Sequence, residues 1–318
     1  MNRYDRQMRL PGMGQAAQAR LGAARVLVVG AGGLGAALLP LLAGAGVGRI
    51  RIVDHDMVEE TNLHRQTLYR MADLGRPKAE MAARALAALN PDCRAEPLVA
   101  RIDPALARTE IAGADLVIDA ADSFAVSYAL SDLCRDAGLP LVTASVTGWR
   151  GYAGGFCGGA PSLRAVFPDL PPRAGTCAET GVMGPAVAML GAAQAQMAIA
   201  VLSGCGPSPL GRMLTLDLEG WAVSGFRFDG APEPEAPGPC ILARADLEPG
   251  DLVVELRDAA EAPEPAVPGA RRCSPAAVAG LQPQAGRRVV FACATGLRSW
   301  RAARVLQAAG HDEVAILA

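Results

Sequence analysis

Lysine is almost missing from this 318-residue sequence: of its 30 basic residues, Lys78 alone is not arginine. Histidine is scarce as well, with only His55, His64 and His311. The eight cysteines (Cys93, Cys134, Cys157, Cys177, Cys205, Cys240, Cys273, Cys293) are scattered and form no C-x-x-C pair. Together these shortages argue against a structural zinc site, and no zinc is expected. The polar opening "MNRYDRQMRL" has no signal-peptide apolar region, so a disulfide framework is not expected either. Most of the thiols read as buried and inert. Charge of one sign is not in excess, the net being −2, and the arginines are dispersed, which excludes a nucleic-acid footprint. No apolar run reads as the roughly 20 residues of a membrane helix. The stretch 26–48 comes nearest and is broken by glycines and Pro40. A cytoplasmic protein with no membrane partner is the expectation.

What is present is a βα rhythm. Strand-like runs at 25–29, 49–53, 96–100, 115–119 and 139–144 alternate with helical stretches near 34–45, 77–89, 103–111 and 125–137. That alternation predicts a mostly parallel sheet with right-handed crossovers. After about residue 149 the pattern changes to short strands at 149–157 and 163–167, a loop "DLPPRAGTCAETG", an apolar helix near 182–203, and strands at 213–218 and 222–228. "DGAPEPEAPGP", residues 229–239, reads as an extended proline-rich linker. Strands at 252–256 and 288–292 and a helix at 299–309 then make a small second domain. The expected division is 1–228, 229–239 and 240–318.

Chemistry is concentrated in four places. "VLVVGAGGLG" ends an apolar strand in G-x-G-x-x-G (Gly30, Gly32, Gly35, with Gly33 between) and opens a helix. Such a turn lets a backbone approach phosphates, and the helix N-terminus favours an anion. Asp54, ending the second strand, is placed for a ribose, whether of NAD or of ATP. In "IVDHDMVEETNLHRQ" and "GRPKAE", the polar Asn62 is followed by the cations Arg65 and Lys78. Lys78 follows Pro77, so its ammonium sits in the first turn of a helix, where the macrodipole disfavours it unless an anion is present. The lone lysine is either a survivor of codon bias or a place where a compact ammonium is needed and a fork would not fit. In "DAADS", Asp119 and Asp122 end the fourth strand, where ligands of open α/β sheets collect. A carboxylate among phosphates implies Mg²⁺ between them; the alternative is that Asp122 caps the next helix, a role Ser123 could also fill.

These stretches, with "RYDRQ" and "TCAETGVMGP", closely resemble the ThiF/MoeB/HesA family, bacterial relatives of the ubiquitin-activating enzymes, over residues 2–228. The resemblance implies a Rossmann-like, doubly wound, mostly parallel sheet extended by antiparallel strands. It implies adenylation of the C-terminal glycine of a ubiquitin-like sulfur carrier (ThiS or MoaD type, ending Gly-Gly) with ATP and Mg²⁺, for thiamine or molybdopterin synthesis. It further implies Asp54 on the ribose, Asn62, Arg65 and Lys78 on the phosphates, Asp122 on Mg²⁺, and Arg6 reaching across a homodimer. Cys177 matches a loop cysteine that in some relatives bonds to the carrier; a plain loop thiol is the alternative. Many relatives carry two C-x-x-C pairs for zinc; here Ser162 and Ala165 stand at the first pair, and only Cys240 resembles the second.

"VVFACATGLRSWRAARVLQAAGHDEVAIL" resembles a rhodanese-like domain, with Cys293 and Arg298 in a loop that opens a helix. This implies a small C-terminal α/β unit in which Cys293 carries a persulfide and delivers sulfur, with a cysteine desulfurase as a further partner. The unit is short, its "VVELRD" matches the family's first strand loosely, and a non-catalytic remnant is the alternative. Two readings compete for the whole chain. An NAD-dependent oxidoreductase explains the glycine loop and Asp54 but leaves Arg6, Arg65, Lys78 and Asp122 without a task. A scaffold that binds ATP and a partner without transfer is the non-enzyme reading.

Overall fold

The computed structural model describes residues 2–170, 181–236, 238–284 and 286–318. Two sheets organise it. The first has eight strands in the order β3-β2-β1-β4-β5-β6-β7-β8. These are β1 Arg25–Val29, β2 Arg49–Val53, β3 Arg94–Leu98, β4 Leu116–Asp119, β5 Pro140–Thr147, β6 Arg150–Cys157, β7 Arg212–Asp217 and β8 Ala222–Arg227. β1 to β5 pair in parallel, and β6 to β8 extend the sheet antiparallel. The winding runs outward from β1 to β3, then returns to β4 on the other side of β1. The carboxyl ends of β1 and β4 therefore flank the switch point, where a crevice forms in this type of sheet.

Helices cover the sheet. Among the described residues they are α1 Asp5–Met8, α2 Gly14–Ala23, α3 Gly33–Ala45, α4 Lys78–Leu89, α5 Pro104–Ile111, α6 Phe124–Asp136, α7 Leu163–Val166, α8 Gly184–Ser203 and α9 Leu297–Ala308. α3 starts in the glycine turn and runs on through Pro40. It packs against α8 so closely that a Cβ on Gly191 would lie 2.8 Å from the Ala37 methyl. α8 corrects the sequence reading of apolar runs: it is 20 residues long and apolar enough to cross a membrane by length and composition. Here Leu190, Ala195 and Ala198 are fully or nearly buried in the same core as Leu38, Leu42 and Val142.

Residues 163–167 correct a second expectation. They form the one-turn helix α7, not a strand, because Ser162 turns the chain: its amide and hydroxyl donate to the Glu233 carboxylate at 2.7 and 2.6 Å. Glu233 lies in the proline-rich stretch, so this segment is tied to the first sheet's layer. Arg164 is buried, pairs with Asp132 at 2.7 Å, and lies over the rings of Tyr128 and Trp300 at 5.3 and 5.2 Å.

The second sheet has five strands in the order β11-β10-β12-β13-β9, all parallel. They are β9 Cys240–Leu242, β10 Leu252–Glu255, β11 Arg271–Arg272, β12 Val289–Ala292 and β13 Val314–Leu317. Period-2 alternation sends Ile241, Val254, Val289, Phe291, Val314 and Ile316 to one face, where they share a core with α9 and with Leu130 and Cys134 of α6. The final strand lies inside this sheet, between β12 and β9. Arg108–Asp246 (2.7 Å) and the Trp300 indole N–H on Asp169 (2.5 Å) add polar ties between the two sheet layers.

Candidate active site

The glycines of the β1–α3 turn have separate steric reasons. At Gly30, φ is +97° and a Cβ would sit 2.5 Å from the Ala120 carbonyl oxygen, so this glycine lets the β1 and β4 ends meet. At Gly35 a Cβ would fall 2.2 Å from the Gly30 oxygen, which closes the turn. At Gly33 a Cβ would fall 2.7 Å from the Val187 side chain of α8. Gly32 is different: the nearest atom to its added Cβ is the Gln66 amide nitrogen at 3.8 Å, so space lies in front of it. That space meets the first amides of α3, which have no partner in their own helix.

Asp54 is mostly buried, and desolvation raises its pKa despite two amides that favour the charged form. The Ala31 N–H donates to one oxygen and the Asp56 N–H to the other, each at 2.7 Å. The carboxylate thus braces the glycine turn. The Tyr69 hydroxyl donates to the Ala31 carbonyl at 2.6 Å and lies 3.4 Å from the Lys78 carbonyl oxygen, linking the turn to the start of α4.

Lys78 is the first residue of α4, with Pro77 as N-cap one place earlier than the sequence suggests. Its side chain is only 6% exposed, and Nζ reaches Asp56 Oδ2 at 2.9 Å. Burial works against the Asp56 carboxylate, yet the Lys78 ammonium, with His55 and Arg101 nearby, holds it below the usual carboxylate range. Asp56 was not singled out in the sequence; its side-chain contact with Lys78 spans 22 residues.

Arg65 lies along the same turn, its Cγ 3.7 Å from where a Gly33 Cβ would be, with the guanidinium 2.8 Å from His64 Nε2. The Asn62 amide donates to Thr61 Oγ1 at 3.3 Å. Gln66 is 3% exposed, and its carbonyl oxygen has no hydrogen-bond partner. An orphaned acceptor in so buried a place costs free energy unless a ligand or water meets it. Neither residue type nor spacing marks Gln66 in the sequence; only its burial beside Gly32 does.

Asp119 is buried, which raises its pKa, and it is held by Thr143 Oγ1 at 2.7 Å and the Ala121 N–H at 3.1 Å. Those bonds shape the loop that carries Asp122, which is exposed. Ser123, not Asp122, is the N-cap of α6, and its side chain makes no capping bond to the helix. Arg6 is not brought to this site. Arg6 is exposed on α1, where the next residue, Gln7, donates to the Ala45 carbonyl at the far end of α3. A helix of this length places the two ends about 20 Å apart.

Cys293 lies on the β12–α9 loop, half-buried, with the Ser299 N–H directed at its Sγ at 3.4 Å. Arg298 approaches the same thiol. Cys177 lies outside the described residues. The structure thus brings the four glycines, Asp54, Arg65 and Lys78 together about the β1–α3 turn, with Asn62 opening the turn that carries Arg65 and Gln66. Asp122 lies on the loop after β4, where the Ser123 hydroxyl meets the Thr295 carbonyl of the Cys293 loop, and Arg6 lies by the far end of α3.

Open space in front of Gly32 at a glycine-lined helix start, a buried lysine and the switch point between β1 and β4 mark a nucleotide-binding α/β protein. The chain belongs to the ThiF family, whose model matches residues 4–237. It is 41% identical over 220 residues to the SAMP-activating enzyme E1 of Haloferax volcanii, covering 68% of this chain and 81% of that one. It is 43% identical over 220 residues to the adenylyltransferase and sulfurtransferase MOCS3 of Bos taurus, covering 68% of this chain and 48% of that one. The chain therefore spans about half the length of the bovine relative. Among solved structures it resembles E. coli MccB with MccA-N7isoASN, at TM-score 0.66, 21% identity and 75% coverage of both chains. That likeness concerns the fold.

Proposed function

We propose that this protein uses ATP to adenylate the C-terminal glycine of a ubiquitin-like sulfur carrier. The observation that carries this reading is Lys78. An ammonium buried in the first turn of a helix opposes the macrodipole, and at rest Asp56 supplies the anion it needs. A triphosphate across the glycine turn gives it a second one. The residues fit the nucleotide: room in front of Gly32, the orphaned Gln66 oxygen, and Asp54 fixed by two amides with lone pairs left for a ribose.

A carrier's C-terminal carboxylate is already ionised at neutral pH, so no general base is required. One of its oxygens attacks the α-phosphorus, an O–P bond forms, the bond to the bridging oxygen breaks, and pyrophosphate leaves with the electron pair. Arg65, Lys78 and Asn62 hold the phosphates in line and stabilise the charge that spreads over them. Asp122 would hold Mg²⁺, which offsets phosphate charge. An open cavity of about 560 Å³ over β5–β8, lined by Tyr152, Phe167, Met213 and Phe226, offers the carrier's tail an apolar approach.

Arg6 acts from the partner subunit of a homodimer, because in its own chain α3 holds it a helix length from the glycine turn. The exposed Met189 on α8 and Leu41 on α3 supply apolar surface for such a partner. Mixed dimers of Arg6→Ala and Asp122→Ala protomers should recover part of the activity that each homodimer loses. In the same reading the C-terminal unit passes sulfur from Cys293 to the activated carrier, after loading by a cysteine desulfurase.

Carrier-dependent exchange of pyrophosphate into ATP tests the adenylation. Exchange that requires the carrier supports it. ATP binding without exchange would make the protein a scaffold.

A further inference from the structure

α6 serves two layers at once. Its Leu130 and Cys134 share one core with Leu27 and Val29 of the first sheet and with Val254 and Phe291 of the second. Its Tyr128 lies against Trp300 of α9, ring centres 5.0 Å apart, and the Arg164 guanidinium lies over both rings. A helix packed on both sides in this way does not shift as a whole without disturbing both cores.

The loop that leads into α6 is held differently. The Ala120 N–H donates to the Val29 carbonyl at 2.8 Å, and the Ala121 N–H to Asp119 at 3.1 Å. Asp122 follows, exposed, and then Ser123, the N-cap of α6. Its hydroxyl makes no bond to its own helix; it donates to the Thr295 carbonyl at 3.3 Å, and the Ala125 N–H meets the same oxygen at 3.3 Å. Thr295 stands two residues after Cys293. Gly296 is the N-cap of α9, and the Ser299 N–H in that helix's first turn is directed at the Cys293 sulfur at 3.4 Å. A single carbonyl therefore joins the Asp122 loop to the Cys293 loop.

That joint is the weak point of the path. Both bonds to Thr295 are longer than is usual for their kind. The bonds on either side are shorter: Thr143 holds Asp119 at 2.7 Å, and the Trp300 N–H holds the Gly296 carbonyl at 2.8 Å. A pull on Asp122 falls on the long bonds first.

We propose that Ser123 is a positioning residue that couples the nucleotide site to the Cys293 loop: when nucleotide and Mg²⁺ engage Asp122, the Ser123 hydroxyl leaves the Thr295 carbonyl and the loop opens, making the thiol accessible. This rests on the reading of Asp122 as the residue that holds Mg²⁺. Coupling of this kind is reciprocal, so loosening the Cys293 loop should tighten nucleotide binding.

The experiment treats the full-length protein, without carrier, with iodoacetamide at fixed pH and times the labelling of Cys293 by peptide mass spectrometry. Cys240, exposed at the start of β9, is the internal reference, and equilibrium dialysis measures ATP binding. ATP with Mg²⁺ should speed Cys293 labelling relative to Cys240 by at least about fivefold, whereas ATP with EDTA should not. Ser123→Ala should raise the nucleotide-free rate, shrink the ATP effect to less than about twofold, and bind ATP with Mg²⁺ more tightly than the wild type. Ser123→Thr, which keeps the hydroxyl, should restore all three. A residue with a merely structural role would alter the labelling rate with and without ATP alike. An ATP effect of full size in Ser123→Ala therefore overturns the coupling. So does a wild type that binds ATP with Mg²⁺ yet labels Cys293 no faster, or only in step with Cys240. A protein that binds no ATP overturns the nucleotide reading and the coupling together.

Discussion

The Ala125 amide donates to the Thr295 carbonyl at 3.3 Å, so the loop that carries Cys293 caps the helix that follows Asp122. The Ser123 hydroxyl donates to the same carbonyl at 3.3 Å. A helix N-terminus leaves amides unsatisfied, and here an acceptor from the second sheet meets one of them. Gly296 makes the approach possible: its φ is +85°, and a Cβ there would fall 2.6 Å from the Ala125 methyl. Gly296→Val should therefore weaken the contact by about 2 kcal/mol or more, through strain and overlap together. Urea unfolding measures the loss. If the two activities are separable, pyrophosphate exchange persists in this variant while thiocarboxylation of the carrier falls.

That contact spans 170 positions, and no sequence pattern announces it. What the sequence does announce is periodic. β1, β2, β4 and β5 follow from short apolar runs that alternate with helical stretches, as in a parallel sheet covered on both faces, and the glycine turn from its spacing. The one-turn α7 is too short to have a period, and apolar "LRAV" reads equally well as a strand. β9 and β11 are three and two residues long and were not expected. At the site, residue types with strong chemistry were legible, whereas Asp56 and Gln66 owe their importance to burial and to partners distant in the chain. Lys78 was legible because it is alone; its resting partner was not.

Glu255 offers a test by pH. Burial opposes its charge, but Arg257 and the amides of Arg257 and Ala266 outweigh it and hold the pKa at about 2. A carboxylate lowered from 4.5 in this way contributes stability above its unfolded value and loses it as pH falls toward the folded one. Glu255→Gln should cost on the order of 3 kcal/mol at pH 7. The gap to wild type should shrink to roughly half or less by pH 3. Denaturant titrations across that range report it, and a gap independent of pH would show that the loss is one of packing.

Asp122 is exposed and does not cap α6, so its charge is free for a metal ion. Asp122→Asn preserves size and removes that charge. Exchange should fall by about 10²-fold or more at ordinary Mg²⁺. Melting temperature without nucleotide should stay within about 1 °C, as for a surface substitution. An unchanged Mg²⁺ requirement in the variant would remove Asp122 from the metal site.

Lys78 carries the sharpest prediction because both of its replacements are informative. Lys78→Ala removes a preorganised cation and should lower carrier adenylation by roughly 10²-fold or more. It also leaves Asp56 without its ammonium. Asp56 is more than half exposed on its side chain, so water replaces that partner and stability should change little. Lys78→Arg keeps the charge but places a planar fork where the side chain is 6% exposed and ends on Asp56. The guanidinium needs more room than an ammonium and can bind Asp56 in a two-pronged grip, which holds it away from the phosphates. Adenylation should therefore fall substantially in Lys78→Arg as well, with ATP binding reduced less than the rate. A Lys78→Arg enzyme of normal activity would mean that the solitary lysine in this arginine-rich chain has no chemical reason.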